Sequence, residues 1–256
     1  MLIVAAFEAA VALLIIRWLI GKKTGEPFSR KTSMKIVLLG GASAFIIMIA
    51  SIFTPVESPF GISNPVLYGF VDALTIAALL EEGLKYGAFR LAMRKNTQAR
   101  CWLDAVLVGA LVAMGFTLIE DVEYSLFGNY YTLIRAFLPM HALFGAIMGY
   151  YYGKAKVTGS MKYHVLSLAV PILAHTFIDM WIIGIKRILD AAGVDAETLS
   201  EEELMSLPNA EYLEPLGYVA IATMAVFFVL LVLSFRKISQ WSKNVELQES
   251  IVAQSP

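Results

Sequence analysis

The sequence predicts an all-α, polytopic transmembrane bundle of about seven helices, forming a single integral-membrane domain over residues 1–256. Composition is the first ground: 58% of residues are hydrophobic and only 16% charged, with a mean hydropathy of +0.69, far from the profile of a soluble domain. The second is that apolar runs near the ~20 residues a helix needs to cross a bilayer recur along the whole chain. The third is that Lys and Arg gather in alternate loops.

In chain order the runs cover residues 2–20, 35–54, 66–93, 102–122, 132–153, 163–186 and 215–235. The first has no positive stretch ahead of it, contains Glu8 and passes into Arg17 and Lys22-Lys23 without a small-residue cleavage site. It therefore reads as a span, not a cleaved signal. The third is longer than a bilayer needs, which implies tilt or an interfacial start from Pro65. Segments 21–35, 90–100, 154–162 and 236–243 hold 15 of the 20 basic residues. They are assigned inside, which puts the N-terminus outside and the C-terminus inside. On the opposite side, residues 55–65 carry no Lys or Arg, and residues 190–214 are acidic, with Asp190, Asp195, Glu197, Glu201, Glu202, Glu203, Glu211 and Glu214. Within that segment Ser200-Glu-Glu-Glu203 spells a capping box opening a short helix.

A net charge of −1, with the basic residues scattered between apolar runs, excludes a nucleic-acid partner. The single cysteine, Cys101, excludes an internal disulfide framework and a cysteine zinc site. It falls at a helix start on the inner side, away from the histidines within the spans. His164, two residues past Lys162, sits at the membrane edge and reads as structural.

Charge inside the spans is sparse and concentrated. Glu81, Glu82 and Lys85 interrupt the third run, with the lysine four and three residues from the two acids and so within reach of both on a helix. Glu120 lies near the end of the fourth run, His141 in the fifth, and His175 with Asp179 in the sixth, the last two at i and i+4. Glu81, His141 and His175 are each about a dozen residues in from the inner helix ends, roughly 20 Å at 1.5 Å per residue. Four helices thus bring polar groups to one stratum in the outer half of a hydrocarbon layer about 30 Å thick.

A lone histidine in a bundle is usually a core hydrogen-bonding residue, and a lone Glu/Lys pair a structural ion pair. Four acids and two imidazoles against one nearby base are a poor structural balance unless a cation or protons compensate. Two imidazoles and a carboxylate match the ligand set of a catalytic zinc with an open position for water. A further carboxylate then suits a general base. Metal-ligating candidates are Glu120, His141, His175 and Asp179, with Asp179 either a ligand or the partner that orients His175. Catalytic candidates are Glu81, Glu82 and Lys85. The small-residue stripe Gly145, Gly149, Gly153 after His141 lets the fifth helix approach its neighbours closely. A different class of function, a proton- or cation-coupled transporter using Glu, His and Asp as a relay, also fits such a cluster. The inverted repeats that would favour it are not evident.

Glu81-Glu82-x-x-Lys85, Phe116-x-x-x-Glu120 with Tyr124 four further on, His141, and His175-x-x-x-Asp179 resemble, in order and spacing, the motifs of the PrsW family of intramembrane proteases. That family is related to the type II CAAX prenyl endopeptidases and bacteriocin-processing enzymes. The resemblance covers roughly residues 70–185. It implies a protease in a prokaryotic cytoplasmic membrane. Its partners would be the lipid bilayer and a single-span membrane protein, cut on the extracytoplasmic side as a membrane-spanning anti-sigma factor is in the best-known relatives. It assigns Glu81 as general base and Glu82 as its support, matches His175 and Asp179 to the last motif, and makes His141 the extra histidine of the PrsW branch. Lys85 stands where the CAAX branch has an arginine one residue later, and Glu120 where it has a histidine. Both differences point away from a prenyl-protein substrate.

Overall fold

A computed structural model describes residues 2–53, 61–94, 96, 98–126, 132–192 and 200–254. The helices are α1 Leu2–Ile20, α2 Arg30–Phe53, α3 Pro65–Asp72, α4 Leu79–Arg94, α5 Trp102–Leu126, α6 Thr132–Phe137, α7 Met140–Thr158, α8 Met161–Ala192, α9 Glu201–Met205 and α10 Leu213–Gln254. A π-helical turn, Ala73–Ala78, joins α3 to α4 without a break, and a 3-10 turn, Ala210–Tyr212, leads into α10. Among the described residues there is no strand. The all-α membrane bundle is therefore what the chain forms, as expected where backbone polar groups must be satisfied within each segment.

Among the described residues, five helices are long and apolar enough to cross a membrane by length and composition: α1, α2, α5, α8 and the segment containing α10. The two expected spans outside that set, 66–93 and 132–153, are those carrying the Glu81-Glu82-Lys85 group and His141. Each differs from a plain hydrophobic rod for a local reason. The first begins with Asn64 accepting a hydrogen bond from Leu67 N at 3.0 Å, Pro65 at its first turn, and contains the π turn. The second is split at Leu138–Pro139. Proline has no N–H to donate and disfavours helix in the residue before it, so α6 ends at Phe137 and α7 restarts at Met140. His141 consequently lies in the first turn of α7, not within a continuous helix.

α5 is the axis of the bundle. Its apolar window is 83% buried, against 28% for those of α1, α2 and α10, whose exposed Leu, Ile, Val and Phe side chains suit contact with lipid. Since lipid is as apolar as leucine, packing here depends on close fit rather than on hydrophobic expulsion. α5 and α7 make the most extensive contact in the protein. They cross at Gly109 and Gly145, where a Cβ on either residue would overlap the other's carbonyl oxygen. α3 meets α8 in the same manner, with Gly69 against the Met180 carbonyl.

The basic loop ends gather at one end of the bundle. Lys23 of the α1–α2 connection pairs with buried Asp104 at 3.3 Å, and Trp102 at the start of α5 stacks edge-on against Trp241 of α10 at 4.8 Å. Asp104 also accepts from the backbone N–H groups of Arg100 (2.7 Å) and Cys101 (3.0 Å), so it caps α5. In the acidic segment the capping box forms as the sequence spells it, with Ser200 and Glu203 exchanging side-chain-to-backbone bonds. Asp195 and Glu197 of that segment, most of the 55–65 loop and Lys95 lie outside the described residues.

Candidate functional site

Helical spacing on α4 places Lys85 beneath both acids. Its Nζ stands 2.6 Å from Glu82 Oε1 and 3.3 Å from Glu81 Oε2. It also donates to His141 Nδ1 at 2.8 Å and lies 4.0 Å above the Phe116 ring. His141 Nε2 in turn faces Glu120 Oε2 at 2.7 Å. With an ammonium donating to one ring nitrogen and a carboxylate accepting from the other, the neighbours fix the tautomer of His141 with its proton on Nε2.

His175 comes from α8 to meet the same group. Its Nδ1 is 3.0 Å from Glu82 Oε1 and its Nε2 is 3.0 Å from Asp179 Oδ2, one turn further on. Glu81 Oε2 is 4.0 Å from the same Nε2. The two imidazole centroids are 5.2 Å apart, and Phe144 stacks on His175 at 5.2 Å, closing its apolar face. All seven residues singled out in the sequence thus form one connected network across α4, α5, α7 and α8.

Their environments separate them. Glu82 is wholly enclosed, and its Oε2 has no hydrogen-bond partner. Glu81 retains 13% side-chain exposure, so it is the acid of the α4 pair that meets solvent. Glu81, His141 and His175 each offer one ligand atom, and these atoms all lie within 4.8 Å of one another. A carboxylate with two imidazoles is a donor set that fits a divalent metal. Glu120 and Asp179 each bond a ring nitrogen of one of those histidines, an arrangement that orients an imidazole.

The network extends to residues that hydropathy did not flag. Arg135 of α6 pairs with Glu120 through Nη2 and with Asp121 Oδ1 through Nε at 3.1 Å. Its guanidinium lies 4.7 Å from the Tyr124 ring. Lys85 is therefore not the only base beside the acids. Beyond Asp121, buried Glu8 of α1 accepts a hydrogen bond from Ser125. The available signal for Arg135 was its isolation on an otherwise base-poor side of the chain. Cys101 lines a cavity at the basic end of the bundle. Burial raises its thiol above the usual range, so it is not poised as a nucleophile. His164 packs edge-on to Tyr152 at 5.4 Å, in keeping with a structural role.

Comparison with known proteins identifies the family. The sequence profile described as PrsW family intramembrane metalloprotease matches residues 29–194. The chain is 31% identical to Protease PrsW of Bacillus subtilis over 180 residues, 68% of this chain and 79% of that one. It is 30% identical to Protease PrsW of Geobacillus kaustophilus over 191 residues, 73% and 81% of the respective chains. With Protease PrsW of Oceanobacillus iheyensis the identity is 37% over 111 residues, 41% of this chain and about half, 52%, of that relative. No solved structure matches the chain. The matched profile spans the α4 acids, Glu120, both histidines and Asp179, and this integral membrane protein belongs to the PrsW family of intramembrane metalloproteases.

Proposed function

We propose that the protein hydrolyses a peptide bond of a single-span membrane protein near its extracytoplasmic side, with water activated at Glu81. A regulatory substrate of the anti-sigma-factor type fits this reading. The observation that carries it is the contrast within the α4 pair: Glu81 is partly open to solvent and shares a 4.8 Å cluster with His141 and His175, while Glu82 is sealed against Lys85. The outside position of the site is supported by the basic loops, which lie at the opposite end of the bundle.

Glu81 accepts the proton of the attacking water and returns it to the leaving amine, the cycle of a general base that becomes a general acid. Glu82 holds Lys85 in place, and the Lys85 ammonium, bonded to Glu81, Glu82 and His141, supplies fixed positive charge beside the acids. Glu120 and Asp179 keep the two imidazoles in fixed orientations. His141 and His175 would hold a divalent metal beside Glu81, whose carboxylate is kept for the proton of water, and zinc suits imidazole donors. Such an ion, when bound, supplies a Lewis acid that makes water nucleophilic at neutral pH. Phe144 and Phe116, packed on the histidines, limit the water that reaches the site.

The test is cleavage of a single-span substrate by purified protein in proteoliposomes, with the cut mapped by mass spectrometry. Wild type is expected to cut close to the outer boundary of the substrate's span, and Glu81→Gln to lose turnover while keeping its melting temperature. Retained turnover in that variant removes Glu81 as the base, and a cut at the inner boundary removes the proposed orientation.

A further inference from the structure

A second feature lies at the other end of the bundle, away from the acids and histidines. Between the ends of α4, α5 and α7 there is a cavity of about 1080 Å³. Four cations line it: Arg90 and Arg94 from α4, Arg100 from the turn before α5, and Lys156 from the last turn of α7. No carboxylate is among its described lining residues. Glu26 reaches Arg100 at 3.2 Å at the solvent-facing rim. Asp104, close in sequence, is committed to Lys23 and to capping α5. Arg90 and Lys156 are poised 5.5 and 5.6 Å from the Tyr152 ring. The remaining walls include Leu91, Met93 and Val157, so charged and apolar side chains line it together.

Arg90 also lines an adjoining groove of about 570 Å³ formed with α8, where Met161, Val165, Leu168 and Ile172 present an apolar wall. One guanidinium thus sits where a cationic pocket meets a greasy slot. Unbalanced positive charge beside an apolar channel, at the basic end of a membrane bundle, is complementary to a molecule with an anionic head and an aliphatic tail.

We infer that this is a binding site for an anionic phospholipid. Arg90, Arg94 and Lys156 receive the phosphate, and an acyl chain lies along the Met161–Ile172 face of α8. The site is separate from the proposed chemistry but mechanically tied to it, since Arg90 and Arg94 ride on the helix that carries Glu81 and Glu82.

Native mass spectrometry of the full-length protein in mild detergent tests this, with phosphatidylglycerol, phosphatidylcholine, inorganic phosphate or an oligoglutamate peptide added separately and in competition. Phosphatidylglycerol is expected to be retained about tenfold or more over phosphatidylcholine. The Arg90→Gln/Arg94→Gln/Lys156→Gln variant is expected to lose that preference with an unchanged melting temperature. These three side chains are exposed, so their removal leaves packing intact. A Lys31→Gln/Lys237→Gln control, which removes positive charge elsewhere, is expected to keep the preference. Equal retention of the two lipids overturns the inference, as does an unaltered preference in the triple variant or its loss in the control. Displacement of lipid by inorganic phosphate would instead indicate a free-anion site, and displacement by the peptide a protein-docking site; either result overturns it. None of these readouts depends on proteolysis.

Discussion

Lys85 Nζ stands 2.6 Å from Glu82 Oε1, one turn earlier on the same helix, and both side chains are sealed from solvent. Neither charge is tolerable there alone. A buried ion whose partner is removed costs about 3–5 kcal/mol. Lys85→Met is therefore expected to lower stability by about that amount, and Glu82→Gln added to it to recover a substantial part. Thermal unfolding in detergent measures both. Equal stability of wild type and Lys85→Met would show that the pair is not structural.

Arg135 acts on the site through Glu120, which it grips together with Asp121, and Glu120 orients His141. Arg135→Gln is expected to reduce turnover about 10–100-fold, as loss of an orienting partner does. The effect should fall on kcat more than on KM, and Arg135→Lys should restore only part of it because it lacks the planar fork. Glu120→Gln combined with Arg135→Gln should cost little more than either alone, since both act through one imidazole.

At the α5–α7 crossing, Gly145 has no room for a methyl group, whereas Gly83 on α4 has nothing within 4 Å of where its Cβ would stand. Gly145→Ala is expected to destabilise by about 1–3 kcal/mol through overpacking. Gly83→Ala should be neutral or stabilising by up to about 1 kcal/mol. Melting temperatures of the two variants in one detergent compare them directly.

Removal of the metal by a chelator is expected to stop cleavage, and added zinc to restore it. Elemental analysis should give about one ion per chain, falling on His141→Ala or His175→Ala, the two imidazoles acting together. Full turnover in metal-free protein would leave activation of water to the carboxylates and imidazoles alone.

The parts of the site that the sequence made legible are those governed by helical period. Lys85 follows Glu81 and Glu82 by four and three, and Asp179 follows His175 by four, so each group shares a face before any tertiary structure is known. Depth counted along the spans was enough to bring His141 and His175 to the same level as Glu81. Arg135 was not legible in this way, because it meets Glu120 from another helix, and no helical spacing relates the two. The contact between Glu8 and Ser125 joins residues more than a hundred positions apart and has no local signature. Pro139 was visible, yet hydropathy averaged it into an apolar run, and the break that puts His141 in a first helical turn went unread. The π turn was hidden for a deeper reason: nothing in Ala73–Ala78 distinguishes it from ordinary helix except the neighbours on either side.

That turn fixes the phase of everything beyond it. Leu79 N reaches back to the Leu74 carbonyl, and Thr75 Oγ1 donates to the Val71 carbonyl at 2.7 Å, so one more residue is accommodated than the usual screw allows. Above it the rod lies against α8 through Gly69; below it the same rod turns to α2 and α5. Wound as ordinary α-helix with the same number of residues, the segment would swing Glu81 and Glu82 by about 100°, leaving the acids intact in sequence but turned away from the histidines. The wider winding works as a setscrew: it adds nothing to the reaction, yet it decides where the acids point.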